Sequence, residues 1–197
     1  MEHLKHVIPS MEHMEQGIEY IQEHINVGSH INGSGGLDRY IDNYESWLEK
    51  LENDRRCIPG PERVPAETYY LIREEDNRII GMINIRLVLN DHLRKCGGHI
   101  GYGIRPSERQ KGYNKINLYL ALLRCQELGI KEVILDCDST NIASSRTMEA
   151  LGGVRIDEYY SEQEQCLAWR YIINVDESIN NHREIYEPKI LKNKKGE

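Results

Sequence analysis

The sequence predicts an α/β (α+β) domain whose central mixed sheet is mostly antiparallel. Helical stripes of apolar residues occupy the first 51 residues, whereas alternating patterns rich in Ile, Val and Tyr begin near Thr68. Only one strand–helix–strand unit follows, so most neighbouring strands are expected to run antiparallel. The length of 197 residues suits one domain.

The first half of the chain predicts one short strand and two helices. Residues 4–8 (LKHVI) form the strand, which stops at Pro9, and Ser10 is suited to cap the helix after it. The apolar residues of that helix recur at spacings of three and four: Met11, Met14, Ile18, Ile21 and Ile25. Residues 27–36 are a loop. A second apolar stripe then comprises Leu37, Tyr40, Ile41, Tyr44, Trp47, Leu48 and Leu51.

A proline-rich connector over residues 53–66 separates these helices from a predicted hairpin. The hairpin pairs residues 68–72 with residues 78–89 across the turn EEDN. A polar loop over 90–98 and a strand over 99–105 follow. Residues 112–129 are apolar on much of their surface, which predicts a helix lying deep against the sheet.

The remaining pattern completes a domain over residues 1–175. It predicts a strand over 132–137, a helix over 141–151, and an antiparallel strand pair over 154–160 and 166–175. We expect the polar tail over residues 176–197 to drape over the domain or to fray.

Composition excludes several classes of function. The net charge of −7 argues against nucleic acid or an anionic membrane as the main partner. No apolar run is long enough to span a bilayer, and the stretch MEHLKHVIPS lacks the core of a secretory signal. The five cysteines are widely spaced and the eight histidines do not cluster. We therefore expect reduced thiols, no metal and a cytoplasmic location.

The segment Gly97–Asn114 (GGHIGYGIRPSERQKGYN) carries the strongest functional pattern. A short strand ends near a proline, a basic turn follows, and a long helix begins right after Gly112. The free N–H groups of a first helical turn and the helix dipole make such a site positive. Arg109 and Lys111 add full charges. The pattern therefore predicts a site for a phosphate or pyrophosphate.

The same residues resemble the signature of the GNAT superfamily of acyl-CoA-dependent N-acyltransferases. That signature is a strand, a proline, and then Arg/Gln-x-x-Gly-x-Gly/Ala opening a helix; here it is IRPSERQKGYN, from Ile104 to Asn114. A second signature, an Asn after the next strand and a helix that ends in Gly, matches Asn141 in STNIASSRTMEALGG. The resemblance covers about residues 3–175 and is sharpest over residues 81–153.

This resemblance implies a GNAT-like fold of about six to seven strands flanked by about four helices. The sheet would splay into a V between the strands that end at Ile104 and Cys137. Acetyl-CoA is the implied donor, and a primary amine of a small molecule or peptide attacks its thioester directly, without an enzyme-bound intermediate. Members of the family often form homodimers, and no feature of the sequence decides whether this chain does.

The resemblance also assigns residues to the cofactor. They are Gly103, Ile104, Arg105, Arg109, Gln110, Lys111, Gly112, Tyr113, Asn114, Lys115, Asn141 and Ser144. The backbone near Gly103 and Ile104 would pair with the pantetheine arm and stabilise the oxyanion, and the segment 109–115 would hold the pyrophosphate. Asn141 can donate to and accept from the pantetheine amides.

Two positions depart from the family pattern. Asn114 stands where Gly or Ala is usual, so its side chain must turn away or become a ligand. Met148 stands where many members carry a Tyr that protonates the leaving thiolate, and a thioether cannot donate a proton. Tyr113 or a water is then a rival acid, and a good leaving group can also depart without one.

His99 and Tyr102 are the candidate catalytic residues. The imidazole of His99 suits a general base at neutral pH. Tyr102 shares a face of its strand with Ile104 and is placed to line the acceptor pocket. Asp136 and Asp138, at the end of the following strand, are rival bases.

Two other functions stay open at this point. A non-catalytic acyl-CoA-binding module for sensing or assembly fits the departures at Asn114 and Met148. A nucleotide-binding protein fits less well, because the turn lacks the Gly-x4-Gly-Lys-Ser/Thr pattern that wraps a triphosphate. The loops expected to select the acceptor are residues 27–36, 53–66 and 90–98.

Overall fold

The computed structural model describes residues 2–162 and 164–190, and this part of the chain forms seven strands and six α-helices. The strands are β1 Leu4–Val7, β2 Ala66–Arg73, β3 Arg78–Arg86, β4 Ile100–Ile104, β5 Glu132–Asp138, β6 Val154–Ser161 and β7 Cys166–Asn174. The helices are α1 Met14–Asn26, α2 Tyr44–Arg56, α3 Asp91–Lys95, α4 Tyr113–Glu127, α5 Ile142–Glu149 and α6 Val175–Tyr186.

Two antiparallel sheets meet at one point and then separate. The first has the strand order β1-β2-β3-β4, and the second has the order β5-β7-β6. They join through a single bridge between Gly98 and Leu135, next to which the His99 N–H donates to the Ile134 carbonyl at 2.7 Å. Beyond this junction, among the residues that the structure describes, β4 pairs only with β3 and β5 only with β7. The predicted fold class, strand number and splay are therefore confirmed.

The first sheet is covered on both faces, because alternate residues of β2 and β3 enter different cores. Leu71 and Ile83 belong to the core shared with α4 and α6. Tyr70 and Met82, their neighbours along the strands, belong to the core under α1 and α2, together with Trp47. Strand alternation thus fixes which helices lie on which side, and it places α1 and α4 on opposite faces of β4.

The predicted apolar face of the first helix is confirmed at its centre and wrong at its ends. Ile21 is fully buried and Ile18 packs against the same core, but Met11, Met14 and Ile25 are 51%, 40% and 49% exposed, and Tyr20 is buried beside Ile21. The helix sits close to the sheet at Gly17, where even a Cβ atom would lie 2.4 Å from the Tyr70 hydroxyl. That contact rotates α1 away from the stripe that the spacing predicts.

One predicted loop contains a helix, and one predicted helix is shorter than the sequence predicts. The second helix begins at Tyr44 rather than at Leu37, because the Asn43 side chain accepts from the Ser46 N–H at 3.1 Å and caps it there. The predicted loop over 90–98 contains the short helix α3, which the Asn90 side chain caps in the same way at Leu93.

The segment after residue 175 packs on the domain instead of draping or fraying. It forms α6, whose Val175, Ile179 and Tyr186 are buried, and Ile190 pairs with Leu4 of β1. These apolar residues lie one to two helical turns apart among polar ones, so the sequence looks like a polar tail. Residues 191–197 lie outside the described part of the chain. No helix within the described part is long and apolar enough to cross a membrane.

Candidate active site

A cleft of about 630 Å³ opens where β4 and β5 separate. It is bounded by the end of β4, the turn before α4, the first turns of α4 and α5, and the loop after α1. The predicted site residues that line it are Tyr102, Gly103, Ile104, Arg109, Gln110, Gly112, Tyr113, Asn114, Lys115, Asn141 and Ser144. His99, Arg105 and Lys111 do not line it.

The turn before α4 presents a row of free backbone donors to this cleft. Gln110 and Gly112 have positive φ angles of 65° and 81°, and this conformation at Gly112 favours glycine. The N–H groups of residues 110–114 make no hydrogen bond within the described residues. Lys115 is the first residue of this helix whose N–H bonds back, to the Gly112 carbonyl at 3.2 Å. Such a row at a helix N-terminus binds anions.

Arg109 and Lys111, the two predicted cations, have different environments. The Arg109 guanidinium donates to the Ile104 carbonyl at 3.2 Å and to the Ser29 hydroxyl at 2.9 Å, and it lines the cleft. Lys111 is bonded to the Glu108 carboxylate at 2.8 Å. Glu108 also pairs with Arg73 at 3.2 Å, and these bonds hold its pKa below the usual range against the effect of burial. The charge of Lys111 is therefore paired with Glu108 in this group of ion pairs and does not face the cleft.

The placement of Arg105 at the cofactor is wrong. Its side chain is fully buried and points away from the cleft, toward α1. There its guanidinium lies 3.1 Å from Glu23 and 3.3 Å from Glu19, and its Nε donates to the Ile79 carbonyl at 2.8 Å. The backbone N–H of Arg105 is also used, by the Ile80 carbonyl. Arg105 is a structural link between the end of β4 and α1.

Tyr102 spans the cleft from β4 to α5. Its hydroxyl lies 2.9 Å from the Ser144 hydroxyl, and burial raises the pKa of the phenol, so the proton stays on it at neutral pH. Asn141 accepts from the Ser144 N–H at 3.1 Å and so caps α5. Within the described residues its side-chain Nδ2 makes no hydrogen bond, so this donor is left for a ligand.

His99 does not have the geometry of a general base. Its Nδ1 accepts from the Ile134 N–H at 3.0 Å, so the lone pair that would take a proton already holds the two sheets together. Burial, with the charges of Arg94 and Arg86, lowers its pKa to about 4. His99 is thus a neutral residue at the junction of the sheets, and its prediction as the base is wrong for a physical reason.

The rival acid and bases are also engaged. Asp136 is bound by Arg170 at 2.8 Å and by the Tyr159 hydroxyl at 2.7 Å. Asp138 accepts from both the N–H and the hydroxyl of Thr140. The Tyr113 hydroxyl donates to Glu2 at 2.6 Å, away from the cleft.

A covalent intermediate on the nearby thiol is disfavoured as well. Cys137 lies on β5 and is 9% exposed, and burial raises its pKa to about 11. The nucleophilic form of a thiol is the thiolate, which is scarce at neutral pH in such an environment. This agrees with a direct transfer between two bound substrates.

Several residues of the cleft were not named individually from the sequence, although three of them lie in the loop 27–36 that was expected to select the acceptor. His24, Ser29, His30 and Asn32 enter it from α1 and the loop after it, and Arg146 enters it from α5. The loop reaches the cleft because Gly103 has no side chain: a Cβ there would lie 2.9 Å from the Asn32 carbonyl. No spacing rule marks these positions, since the contact joins residues about 70 positions apart in the chain.

Comparison with known proteins identifies the family. The family model described as "Acetyltransferase (GNAT) domain" matches residues 29–154, which is more than half of the chain. The chain belongs to the GNAT acetyltransferase family. It is therefore an acyltransferase. A search of curated proteins gives no match.

Solved GNAT structures share the fold at low sequence identity. RimJ of Mycobacterium smegmatis, in complex with CoA-disulfide, has 12% identity and a TM-score of 0.69, with 92% of this chain and 88% of that chain covered. The ribosomal-protein-S5-alanine acetyltransferase of Vibrio fischeri has 12% identity and a TM-score of 0.65, covering 89% and 95%. A chimera of the spermidine N-acetyltransferase SpeG of Vibrio cholerae and hSSAT has 14% identity and a TM-score of 0.64, covering 90% and 98%.

The two departures from the GNAT pattern occupy different environments. Asn114 lines the cleft, and its side-chain oxygen is buried with no partner in the described residues. An unpaired buried acceptor is costly, so Asn114 is suited to contact a ligand. Met148 is fully buried in the main core and does not line the cleft. Of the predicted hydroxyl donors, Tyr102 is the one whose oxygen is held at the cleft.

Proposed function

We propose that this GNAT protein transfers an acetyl group from acetyl-CoA to a primary amine by direct attack. The observation that carries the proposal is the row of unbonded N–H groups at residues 110–114, of which all but that of Lys111 belong to residues that line the cleft beside the Arg109 guanidinium. A pyrophosphate needs several donors at one spot and a compensating charge, and this turn supplies both.

The rest of the cleft suits the acyl-bearing arm of the donor. Pantetheine carries amide groups and is extended, so the edge of β4 at Gly103 and Ile104, which faces the splay, is suited to pair with it. The free Nδ2 of Asn141 is placed to donate to one of its carbonyls. These groups would direct the thioester toward the junction of the two sheets.

The proposed transfer forms a bond between the amine nitrogen and the acetyl carbon while the bond from that carbon to sulfur breaks. Backbone N–H groups of β4 would stabilise the oxygen charge. We assign the proton that the leaving sulfur takes up to the Tyr102 hydroxyl, which Ser144 orients at 2.9 Å. The amine must arrive neutral, and its nitrogen loses one further proton to water as the amide forms, since the histidine and aspartates considered above are engaged. Water then returns a proton to the Tyr102 phenolate.

The acceptor is proposed at the level of its chemistry. The loop after α1 places Ser29, His30 and Asn32 at the cleft, so it forms the wall that an amine would pass. The named substrates of structurally similar proteins, spermidine and a ribosomal-protein alanine, supply two probes: a polyamine and a peptide with an N-terminal alanine. A cytoplasmic location and a homodimer stay predictions.

Calorimetry with coenzyme A and thiol release from acetyl-CoA test the proposal. We expect Gly112→Asp to abolish CoA binding, because the new carboxylate faces open space at the anion site, and to lower the thermal midpoint modestly, because its φ of 81° strains a residue with a side chain. Tyr102→Phe should keep CoA affinity and lower thiol release about tenfold or more. Unchanged CoA affinity in Gly112→Asp would contradict the cofactor site.

A non-catalytic acyl-CoA-binding module is the second candidate, and Met148 is the residue that favours it. In that case the wild-type protein would bind CoA tightly and release no thiol with either probe amine. The same two measurements therefore separate the enzyme from the module. Absence of CoA binding by folded protein would reject both.

A further inference from the structure

The cleft concentrates positive charge that the protein does not neutralise. The chain has a net charge of −7, and most of its arginines lie in ion pairs or bond to backbone carbonyls. Three cations line the cleft, namely Arg109, Lys115 and Arg146, and none of them pairs with a carboxylate within the described residues. The one carboxylate at the cleft, Glu108, is already bound by Arg73 and Lys111.

These three cations fall into two groups. Arg109 lies on the β4 side, fixed by the Ile104 carbonyl and the Ser29 hydroxyl, next to the free N–H groups. Lys115 lies on the first turn of α4 and Arg146 in the middle of α5, and these two helices pack against each other. Neither the Lys115 ammonium nor the Arg146 guanidinium makes a side-chain hydrogen bond in the part of the chain that the structure describes.

The charges of the two groups match two different phosphates. Arg109 and the end of the α4 dipole supply about 1.5 positive charges, close to the two of a pyrophosphate diester. Coenzyme A also carries a monoester phosphate on the 3′ position of its ribose, with about 1.5 to 2 negative charges at neutral pH. Lys115 and Arg146 supply two positive charges that the pyrophosphate does not require.

We propose that Lys115 and Arg146 bind the 3′-phosphate of the donor and make the protein selective for CoA over its 3′-dephospho form. The inference rests on the proposed function, because it concerns another part of the same ligand. A guanidinium binds a phosphate through two parallel hydrogen bonds, and an ammonium adds a point charge. Both side chains reach solvent, so the interaction weakens as salt rises.

Calorimetry with CoA and with 3′-dephospho-CoA measures the selectivity. For the wild type we expect a Kd for CoA about tenfold or more below that for 3′-dephospho-CoA. Arg146→Gln and Lys115→Gln should each reduce this ratio, and the double variant should bring it close to one. The Kd for 3′-dephospho-CoA should stay within about twofold throughout. Lys95→Gln, which removes an exposed charge from α3, should leave the ratio as in the wild type.

The outcomes separate this inference from the proposed function. If folded wild-type protein binds neither compound, the proposed function fails and this inference fails with it. If it binds both equally, the inference fails and the proposed function stands. If the glutamine variants weaken both compounds by the same factor, the two side chains act on the site in general and the 3′-phosphate assignment is overturned. Arg146→Lys keeps the charge and should retain part of the selectivity. It therefore controls for a loss of selectivity that results from misfolding.

Discussion

Acid should destabilise this protein through a buried histidine on its first strand. His6 is 9% exposed, stacks on Tyr69, and donates from Nε2 to the Asn117 side-chain oxygen at 2.8 Å. Because an amide oxygen only accepts, this bond fixes the proton on Nε2 and leaves Nδ1 bare. A second proton on the buried ring has no partner, so burial lowers the pKa of His6 from 6.5 to about 4.

The size of the effect follows from the two pKa values. An unfolded chain binds the proton near pH 6.5 and the folded chain only near pH 4, so the unfolded state binds more protons between these values. The contribution of His6 to the free energy of unfolding is therefore fully present above the unfolded pKa and is lost as the pH is lowered toward the folded pKa. The contribution of His6 is a loss of about 2 kcal/mol between about pH 7.5 and about pH 5.

Urea unfolding of the wild type and His6→Gln at these two pH values measures this contribution. Glutamine keeps a neutral donor toward Asn117 but does not titrate, so the loss on acidification should be smaller by about 2 kcal/mol in the variant. His92→Gln, an exposed position on α3, is the matched control and should behave as the wild type. Equal losses in wild type and His6→Gln would refute the assignment of the buried neutral tautomer.

The remaining predictions concern the site. Gly103→Ala should destabilise the protein by about 1–3 kcal/mol and raise the KM for the probe amine, because its Cβ meets the covering loop at 2.9 Å; Gly101→Ala, with its closest neighbour at 3.6 Å, should be nearly neutral in both assays. His99→Gln should change kcat for thiol release by about twofold at most, and a loss of about a hundredfold would restore it as the base. Met148→Tyr should lower the unfolding free energy by about 1–3 kcal/mol without raising kcat, and a faster variant would show that a hydroxyl there reaches the cleft.

The sequence predicts best what depends on local chemistry. Gln110 and Gly112 lie in the turn with free N–H groups that the pattern predicts, because the turn residues, the helix start and the strand before them are neighbours in the chain. Asn141 was assigned from its match to the second GNAT signature, and its cap is also local, since Ser144 lies three positions on.

The wrong expectations at the candidate site depend on distant partners. Arg105 turns away from the cleft because Glu19 and Glu23 of α1 attract it from more than 80 positions away. The Nδ1 atom of His99 accepts a hydrogen bond from the Ile134 N–H in the other sheet, and no local pattern shows this contact. Arg146 lies within the Asn141 signature, but that signature gives it no role, and the packing of α5 on α4 brings it to the cleft.

The strand order has a practical consequence for anyone who would shorten this protein. The family match ends at residue 154, yet β7 (Cys166–Asn174) is the middle strand of the second sheet, between β5 and β6. A fragment that ends where the match ends would lack β7, the strand to which both β5 and β6 are hydrogen bonded. The second sheet, which forms one side of the V, would then lose its middle strand. An expressed fragment should therefore extend through Ile190, whose backbone pairs with Leu4 of the first strand.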